Sequence, residues 1–166
     1  MALTTTITAG IAATQTNVLD LVTGSGKLSR SSAIAMSSGT GSGQADLIFS
    51  DQRTVAASGT DALDLAGSLT GLYGTTLTIV KLKFVLVFAA AGNTNNVRVN
   101  RPASNGVPLF LAADDGIDVL LGGLFAWCAP GAGVTVTAGT GDLLNIDNST
   151  SGTSVTYDVV LGGTSA

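Results

Sequence analysis

Residues 80–88, Val-Lys-Leu-Lys-Phe-Val-Leu-Val-Phe, are the stretch that decides the fold of this chain. Alternate side chains of a β-strand point to opposite faces of its sheet. One face is therefore expected to carry Val80, Leu82, Phe84, Leu86 and Phe88, and the other Lys81, Lys83, Val85 and Val87. Both faces are apolar beyond Lys83, so the pattern predicts a strand over 76–90 that leaves an open surface and becomes buried on both sides.

The rest of the chain after residue 46 consists of shorter strand-like segments that are separated by Gly, Asn and Asp turns. The segments predicted as further strands are 47–50, 53–57, 62–66, 96–101, 107–112, 117–121, 124–128, 133–138, 142–147 and 153–161. None has a helical period, and nothing repeats at a fixed interval, which disfavours a propeller or solenoid. Short strands at this spacing predict an all-β fold, an antiparallel β-sandwich or jelly-roll-like domain over 46–166.

Residues 1–45 differ in composition, being rich in Gly, Ser, Thr and Ala with few large apolar side chains. Such a block cannot form a core alone. We interpret it as an extended N-terminal arm lying on neighbouring subunits, although a set of edge strands in its own domain is the alternative. Within the arm, 17–22 is predicted as a strand or helical turn, and Gly39–Gly43 as a flexible hinge between arm and domain.

Composition argues against catalysis. The chain has no His and no Glu, only 11% charged residues, and 45% hydrophobic residues with 22 Gly. His, Glu, Cys and Lys supply most general acids, bases and metal ligands. The net charge of −4 also argues against nucleic-acid binding. No apolar run approaches the ~20 residues of a membrane span. We therefore expect a structural protein, not an enzyme, without cofactor, metal, nucleic acid or membrane.

Two groups of aspartates could be taken for functional sites, but their positions in the sequence favour structural roles. Asp114, Asp115 and Asp118 could supply oxygen ligands to calcium, but Asp-Asp-Gly is also a turn signal, and we predict a turn. Asp61 and Asp64 would point to opposite faces of a strand and are expected to be solvated or capping groups.

Two further motifs are interpreted as turns. Thr23–Lys27 lacks the Gly and the Ser or Thr that a phosphate-binding loop requires. The glycosylation sequon at Asn148 has no secretion signal to accompany it. The lone Cys128 allows no internal disulfide and is expected to be a buried thiol.

The second apolar face of the long strand predicts self-association. A single sandwich buries one face of each sheet, so Phe84, Leu86 and Phe88 are predicted to lie in an oligomer interface, together with Trp127 at the end of another strand. We expect a homo-oligomer, a trimer.

Several turns and strand edges carry a resemblance to a known family. They are Gly43–Asp46, Asp64–Thr70, Ala89–Asn96, Arg101–Gly106, Ala129–Pro130, Val134–Leu143 and Ser154–Asp158. Over about residues 39–166 the chain resembles a family of small virion proteins encoded by tailed bacteriophages and prophages. The resemblance implies a β-rich virion component that has no catalytic residues to carry over.

Two functions follow as expectations. The first is a capsid cement or decoration protein, located in the virion and assembled in the host cytoplasm, that stabilises the head by bridging major capsid proteins or other virion proteins. The alternative is a tail or spike/fibre component that binds a host receptor or glycan. A glycan-binding head would call for exposed aromatic side chains, and this chain has Trp127, Tyr73 and Tyr157.

Overall fold

The strands of the described residues pair in antiparallel sheets, which confirms the predicted all-β sandwich. The computed structural model describes residues 2–166, and this part of the chain contains eleven strands and no helix. The strands are β1 (Thr5–Val18), β2 (Thr23–Met36), β3 (Leu47–Val55), β4 (Thr60–Asp64), β5 (Lys81–Ala89), β6 (Val97–Asn100), β7 (Gly116–Val119), β8 (Leu124–Cys128), β9 (Val134–Thr135), β10 (Leu143–Asn148) and β11 (Val155–Thr164). Consequently none of the described residues forms a helix with the length and hydropathy of a membrane span.

Two sheets form the sandwich. Their strand orders are β4-β10-β6-β7 and β3-β11-β5-β8, and the two-residue β9 adds to β5. Each of the first four sandwich strands pairs with one of the last four, and the order of the partners is reversed. The pairs are β3–β11, β4–β10, β5–β8 and β6–β7. The chain from β3 to β11 is thus paired like one long hairpin, with its tip between β6 and β7, that has been rolled into two layers.

Side chains of alternate residues fill the space between the layers. On β11 the period-two alternation of the sequence places Val155, Tyr157, Val159 and Leu161 in the core, each with no exposed surface. The facing sheet contributes Leu63, Val97, Val99, Leu144 and Ile146 to the same cluster. The core therefore follows directly from local alternation.

The long strand departs from its predicted alternation at one residue. Gly162 and Gly163 of β11 pair with Phe84 and Leu82, which leaves Lys83 as the extra residue of a β-bulge. The bulge places Leu82 on the core side together with Val85, whereas Phe84 joins a second cluster on the outer face. The predicted common face for Leu82 and Phe84 is wrong, because one inserted residue reverses the alternation beyond it.

Several segments predicted as strands are partly or wholly irregular. Residues 107–112 form no strand, β5 begins at Lys81 and not at 76, and only Val134–Thr135 of the predicted 133–138 form a strand. Leu77 and Ile79 are nevertheless buried, and their amides donate to the carbonyls of Leu69 and Leu65 at 2.8 and 2.9 Å. Their apolar residues belong to the core, but these amides bond to loop residues and not to a continuous ladder.

The N-terminal segment is a long two-stranded hairpin. β1 pairs with β2 over their full length, from Thr5 opposite Met36 to Val18 opposite Thr23. The segment 17–22, predicted as a strand or helical turn, contains the hairpin loop. Met1 of the predicted arm lies outside the described residues, and the division into an arm of 1–45 and a domain of 46–166 remains a prediction.

The predicted hinge at Gly39–Gly43 is a hydrogen-bonded turn. The amide of Gly43 donates to the carbonyl of Pro130 at 2.8 Å, and that of Ala45 to Ser37 at 2.9 Å. The side-chain carbonyl of Gln44 accepts from the amide of Gly41 at 2.9 Å. The bond to Pro130 attaches the foot of the hairpin to the sandwich, and the other two hold the turn itself together.

A polar latch joins the two sheets at their β3 and β4 edges. Arg53 on β3 donates two hydrogen bonds to the carboxylate of Asp61 on β4, at 3.0 and 3.1 Å. The hydroxyl of Tyr157 donates to the same carboxylate at 2.7 Å. Asp61 is thus the acceptor of a structural network and not the solvated or capping group expected from the sequence.

Candidate interaction surface

The outer face of the β3-β11-β5-β8 sheet is covered at one end by the base of the hairpin. Phe84 of β5 and Met36 of β2 are each 1% exposed and belong to a small apolar cluster. The partly buried residues packed there are Leu3, Ile7, Ile48, Cys128 and Val160. The hairpin base and the sheet are therefore complementary apolar surfaces, and the contact fixes the direction in which the hairpin leaves the sandwich.

Beyond the hairpin base, the part of this outer face formed by β5 and β8 is apolar and uncovered, whereas the neighbouring part formed by β3 and β11 carries polar side chains such as Gln52 and Asp158. Cross-strand pairing sets Leu86 opposite Ala126 and Phe88 opposite Leu124. Phe88 is 40% exposed and Leu124 is 54% exposed. β8 is also the last strand of its sheet, so one row of its backbone groups is left without a strand partner. We call this surface, Leu86, Phe88, Leu124 and Ala126, the β5–β8 face.

The outer face of the opposite sheet has a different character. Register places Asp64, Arg98, Asn100, Asp118, Asn145 and Asp147 on it. Arg98 and Asp118 are paired across β6 and β7, with 3.7 Å between guanidinium and carboxylate. A solvated sheet normally has such a polar outer face. The two outer faces therefore differ: the β5–β8 face exposes apolar side chains, whereas the opposite face is polar.

The hairpin is amphipathic along its length. One face carries Ile7, Ala9, Ile11 and Ala13 of β1 with Leu28, Arg30, Ser32 and Ile34 of β2. The opposite face carries Thr6, Thr8, Thr14 and Thr16 with Ser25, Lys27, Ser29 and Ser31. Beyond the base, all residues from 8 to 33 are exposed on both faces. This period-two signal is present in the sequence, but Ala and Thr make it weak.

The hairpin tip is the most exposed apolar segment of the arm. Val18 is 76% exposed, Leu21 is fully exposed, and Val22 is 62% exposed. A two-stranded hairpin in water is marginally stable by itself, because it buries little apolar area. An arm of this length and composition is the form expected of an element that is completed by a partner.

The four residues predicted to form an oligomer interface lie in three different environments. Phe84 is buried beneath the hairpin base, and Trp127 lies opposite Val85 on the core side of β8. Leu86 and Phe88 lie on the β5–β8 face, where Phe88 remains accessible. The interface stays a prediction, and Leu86 and Phe88 are the members that a partner could reach.

The acidic residues singled out in the sequence take part in turns and ion pairs. Asp114 has a left-handed backbone with φ of 64°, and the carboxylate of Asp115 accepts the amide of Ala112 at 2.8 Å. Asp118 pairs with Arg98. Asp64 accepts the amide of Ala66 at 2.9 Å, so it is a capping group as expected.

Sequence reasoning did not predict that the polar side chains of Asn148 and Lys83 are buried. Asn148 is 4% exposed, and its amide oxygen accepts from the amide of Asn95 at 2.9 Å, so its side chain is inaccessible to glycosylation in the folded chain. Lys83, at the bulge, is 2% exposed and donates to the carbonyls of Pro130 and Gly131. Burial, and then the charge of Lys81, lower the pKa of Lys83.

Cys128 is a free thiol, and burial raises its pKa.

Two comparisons with known proteins found no match that would indicate a family. No protein-family model matches the chain, and no curated protein matches it. The functional argument therefore depends on the exposed surfaces themselves.

Proposed function

We propose that this protein is a structural component of a phage virion, a capsid cement or decoration protein that stabilises the head by bridging major capsid proteins. The observation that carries the proposal is the amphipathic hairpin arm, whose residues 8–33 are exposed on both faces. An ordered, protruding arm with apolar side chains at its tip is suited to contact with neighbouring subunits.

The dimensions of the arm favour bridging. Fourteen residues per strand correspond to roughly 45 Å at ~3.4 Å per residue. A sandwich on one subunit could therefore place its arm tip on the next. On a lattice, many such contacts act together, so each can be weak and still retain the protein.

The pairing order of the sandwich supports a jelly roll. In that fold an eight-stranded ribbon is rolled into two four-stranded sheets, as β3–β8, β10 and β11 are here. Jelly rolls recur in viral capsid proteins but also in lectins and enzymes, so the fold is compatible with the proposal without being specific to it. The resemblance to small virion proteins of tailed phages favours a viral structural protein over a lectin or an enzyme.

Exposed aromatic residues are few for a glycan-binding head, the alternative function. Tyr157 has no exposed surface and Trp127 packs against the core, whereas Tyr73 is 69% exposed in a loop. The β5–β8 face and the arm are larger features than this one aromatic side chain. We therefore favour the cement role and treat receptor binding as an outcome of the test.

The test shortens the arm without disturbing its base. Gly10 pairs with Ser31, so replacing residues 11–30 by Asn-Gly retains the register through a two-residue hairpin turn. Ile7 and Met36, which pack in the same cluster as Phe84, remain in place. Purified wild-type and shortened proteins are added to heads that lack the protein, and bound copies and the temperature of head rupture are measured.

The proposal expects wild-type protein to bind and raise the rupture temperature, and the shortened protein to bind at least about tenfold more weakly, because lattice avidity multiplies each lost contact. The exposed substitution Lys27→Ser on the polar face serves as the control. If the shortened protein still saturates heads while phage carrying it no longer adsorb to cells, the cement role is wrong and receptor binding replaces it.

A further inference from the structure

We infer that the arm of one copy packs its apolar face on the β5–β8 face of a second copy. The inference rests on the proposed homo-oligomer but not on attachment to a capsid. Both surfaces are exposed in the single chain, and both are apolar: Ile11 and Leu28 are each 57% exposed on the arm, and Phe88 and Leu124 are exposed on the sheet.

The structure already contains a contact of this kind. At the arm base, Ile7 and Met36 pack on Phe84 and Val160 of the same outer face. The shaft of the arm continues the apolar face of its base, and the β5–β8 face continues the covered part of the sheet. A second copy therefore offers the shaft the same type of surface that the base already covers.

Charge supports a second copy as the occupant. Among the described residues of the apolar arm face, the charged one is Arg30, which lies opposite Ile11. On the outer sheet face between Phe84 and Phe88, the charged residue is Asp158, which lies opposite Phe88. Both side chains are exposed, and the carboxylate of Asp158 accepts one hydrogen bond, from Gln52 at 2.8 Å. The arm face thus carries one positive charge, Arg30, and the β5–β8 face is bordered on β11 by one negative charge, Asp158.

The geometry also favours exchange between copies over folding back. The foot of the arm is bonded to the sandwich through Gly43 and Pro130, and its base occupies the covered end of the sheet. With the base held there, the shaft leaves its own sheet uncovered. Donation of an arm to the next copy is a heterologous contact, and such contacts close into a ring when the rotation permits, as in the proposed trimer.

The first experiment uses the full-length protein and light scattering across a concentration series. Arg30→Asp and Asp158→Arg should each weaken association at least about tenfold, because each sets like charges against each other. The double variant R30D/D158R should return to within about threefold of wild type. Lys27→Asp, on the polar arm face, is the matched control and should leave association unchanged.

The second experiment distinguishes exchange from an arm that folds back. In a Cys128→Ser background, one preparation carries Arg30→Cys and another carries Asp158→Cys. The inference expects a disulfide-linked dimer to form on oxidation of the mixture and little of it in either preparation alone, because the two cysteines meet only across copies. Both positions are exposed, so both variants should fold.

Three results would overturn the inference: a wild-type protein that is monomeric at micromolar concentration, a double variant that does not recover, or a mixture without the crosslink. Binding to heads is measured separately. Crosslinked oligomers that do not bind heads would contradict the cement role alone, and head binding by protein that fails the crosslink would contradict arm exchange alone.

Discussion

Phe84 occupies the space that a side chain at Gly162 would need. The two residues pair across β5 and β11, and a Cβ built at Gly162 would lie 2.5 Å from Cζ of the Phe84 ring and 2.6 Å from the carbonyl oxygen of Leu47. Because residue 162 is a glycine, the ring can occupy this space within the cluster that also contains Met36. The contact between the hairpin base and the sheet therefore depends on a glycine at position 162.

Gly162→Ala is expected to lower the free energy of unfolding by about 1–3 kcal/mol, the usual cost of overpacking. The ring can move, but the Leu47 carbonyl belongs to the paired strand β3 and cannot move easily. Urea unfolding measures the change. Gly26→Ala is the control, since a Cβ there would meet nothing within 4 Å. A Gly162→Ala protein as stable as wild type would show that the ring does not need this space.

Phe84 and Phe88, two phenylalanines of the same strand, are expected to respond differently to truncation. Phe84→Ala removes a ring that is 1% exposed and should cost about 3–5 kcal/mol of stability. Phe88→Ala removes a ring that is 40% exposed, so circular dichroism should remain native while light scattering shows weaker association. The reverse pattern would mean that the two residues exchange the roles assigned to them.

The Tyr157 latch predicts a loss of stability at high pH. Burial, and then the hydrogen bond to Asp61, raise the pKa of Tyr157 above its ordinary value. The folded state therefore keeps the phenol protonated while the unfolded state ionises, so stability is complete below pH ~10 and falls as the pH rises beyond it.

Tyr157→Phe should lose about 1.5–3 kcal/mol at neutral pH, the contribution of a hydrogen bond to a charged group. Its stability should also fall less steeply than that of wild type above pH ~10, because it lacks the ionising phenol. Urea unfolding between pH 7 and 11 compares the two proteins, which share Lys83 and every other titrating group. Parallel curves would contradict the raised pKa.

The buried amide pair Asn95 and Asn148 predicts a site sensitive to substitution. The Asn148 amide donates to the carbonyls of Ala56 and Thr153 at 3.1 and 2.8 Å. Asn148→Ala should lower stability by about 1–3 kcal/mol, because buried polar groups lose their partners. Thermal unfolding would measure this change, with the exposed Asn17→Ala as control. A native melting temperature would show that water replaces the lost bonds without cost.

The sequence alone determined the class of the fold and much of its core. Alternation of apolar and polar residues is a local property of an extended chain, so the inward-facing side chains of β11 follow from its period-two pattern. The strand predicted over 107–112 was wrong because its apolar residues indicate burial but not pairing with another strand. Val107 is buried, but its amide donates to the carbonyl of Leu143, and the chain after it turns. Burial can be predicted from hydrophobicity, whereas a ladder depends on a partner strand.

Only the tertiary structure decided the bulge at Lys83, the latch between Arg53 and Asp61, and the different environments of Phe84 and Phe88. Each depends on the register between residues distant in sequence. The physical reason is that side-chain alternation is a short-range steric effect, whereas register results from the packing of the whole sandwich. The sequence could predict that β5 has two apolar faces, but only the folded chain shows that the arm covers one end of the outer face and leaves the other exposed.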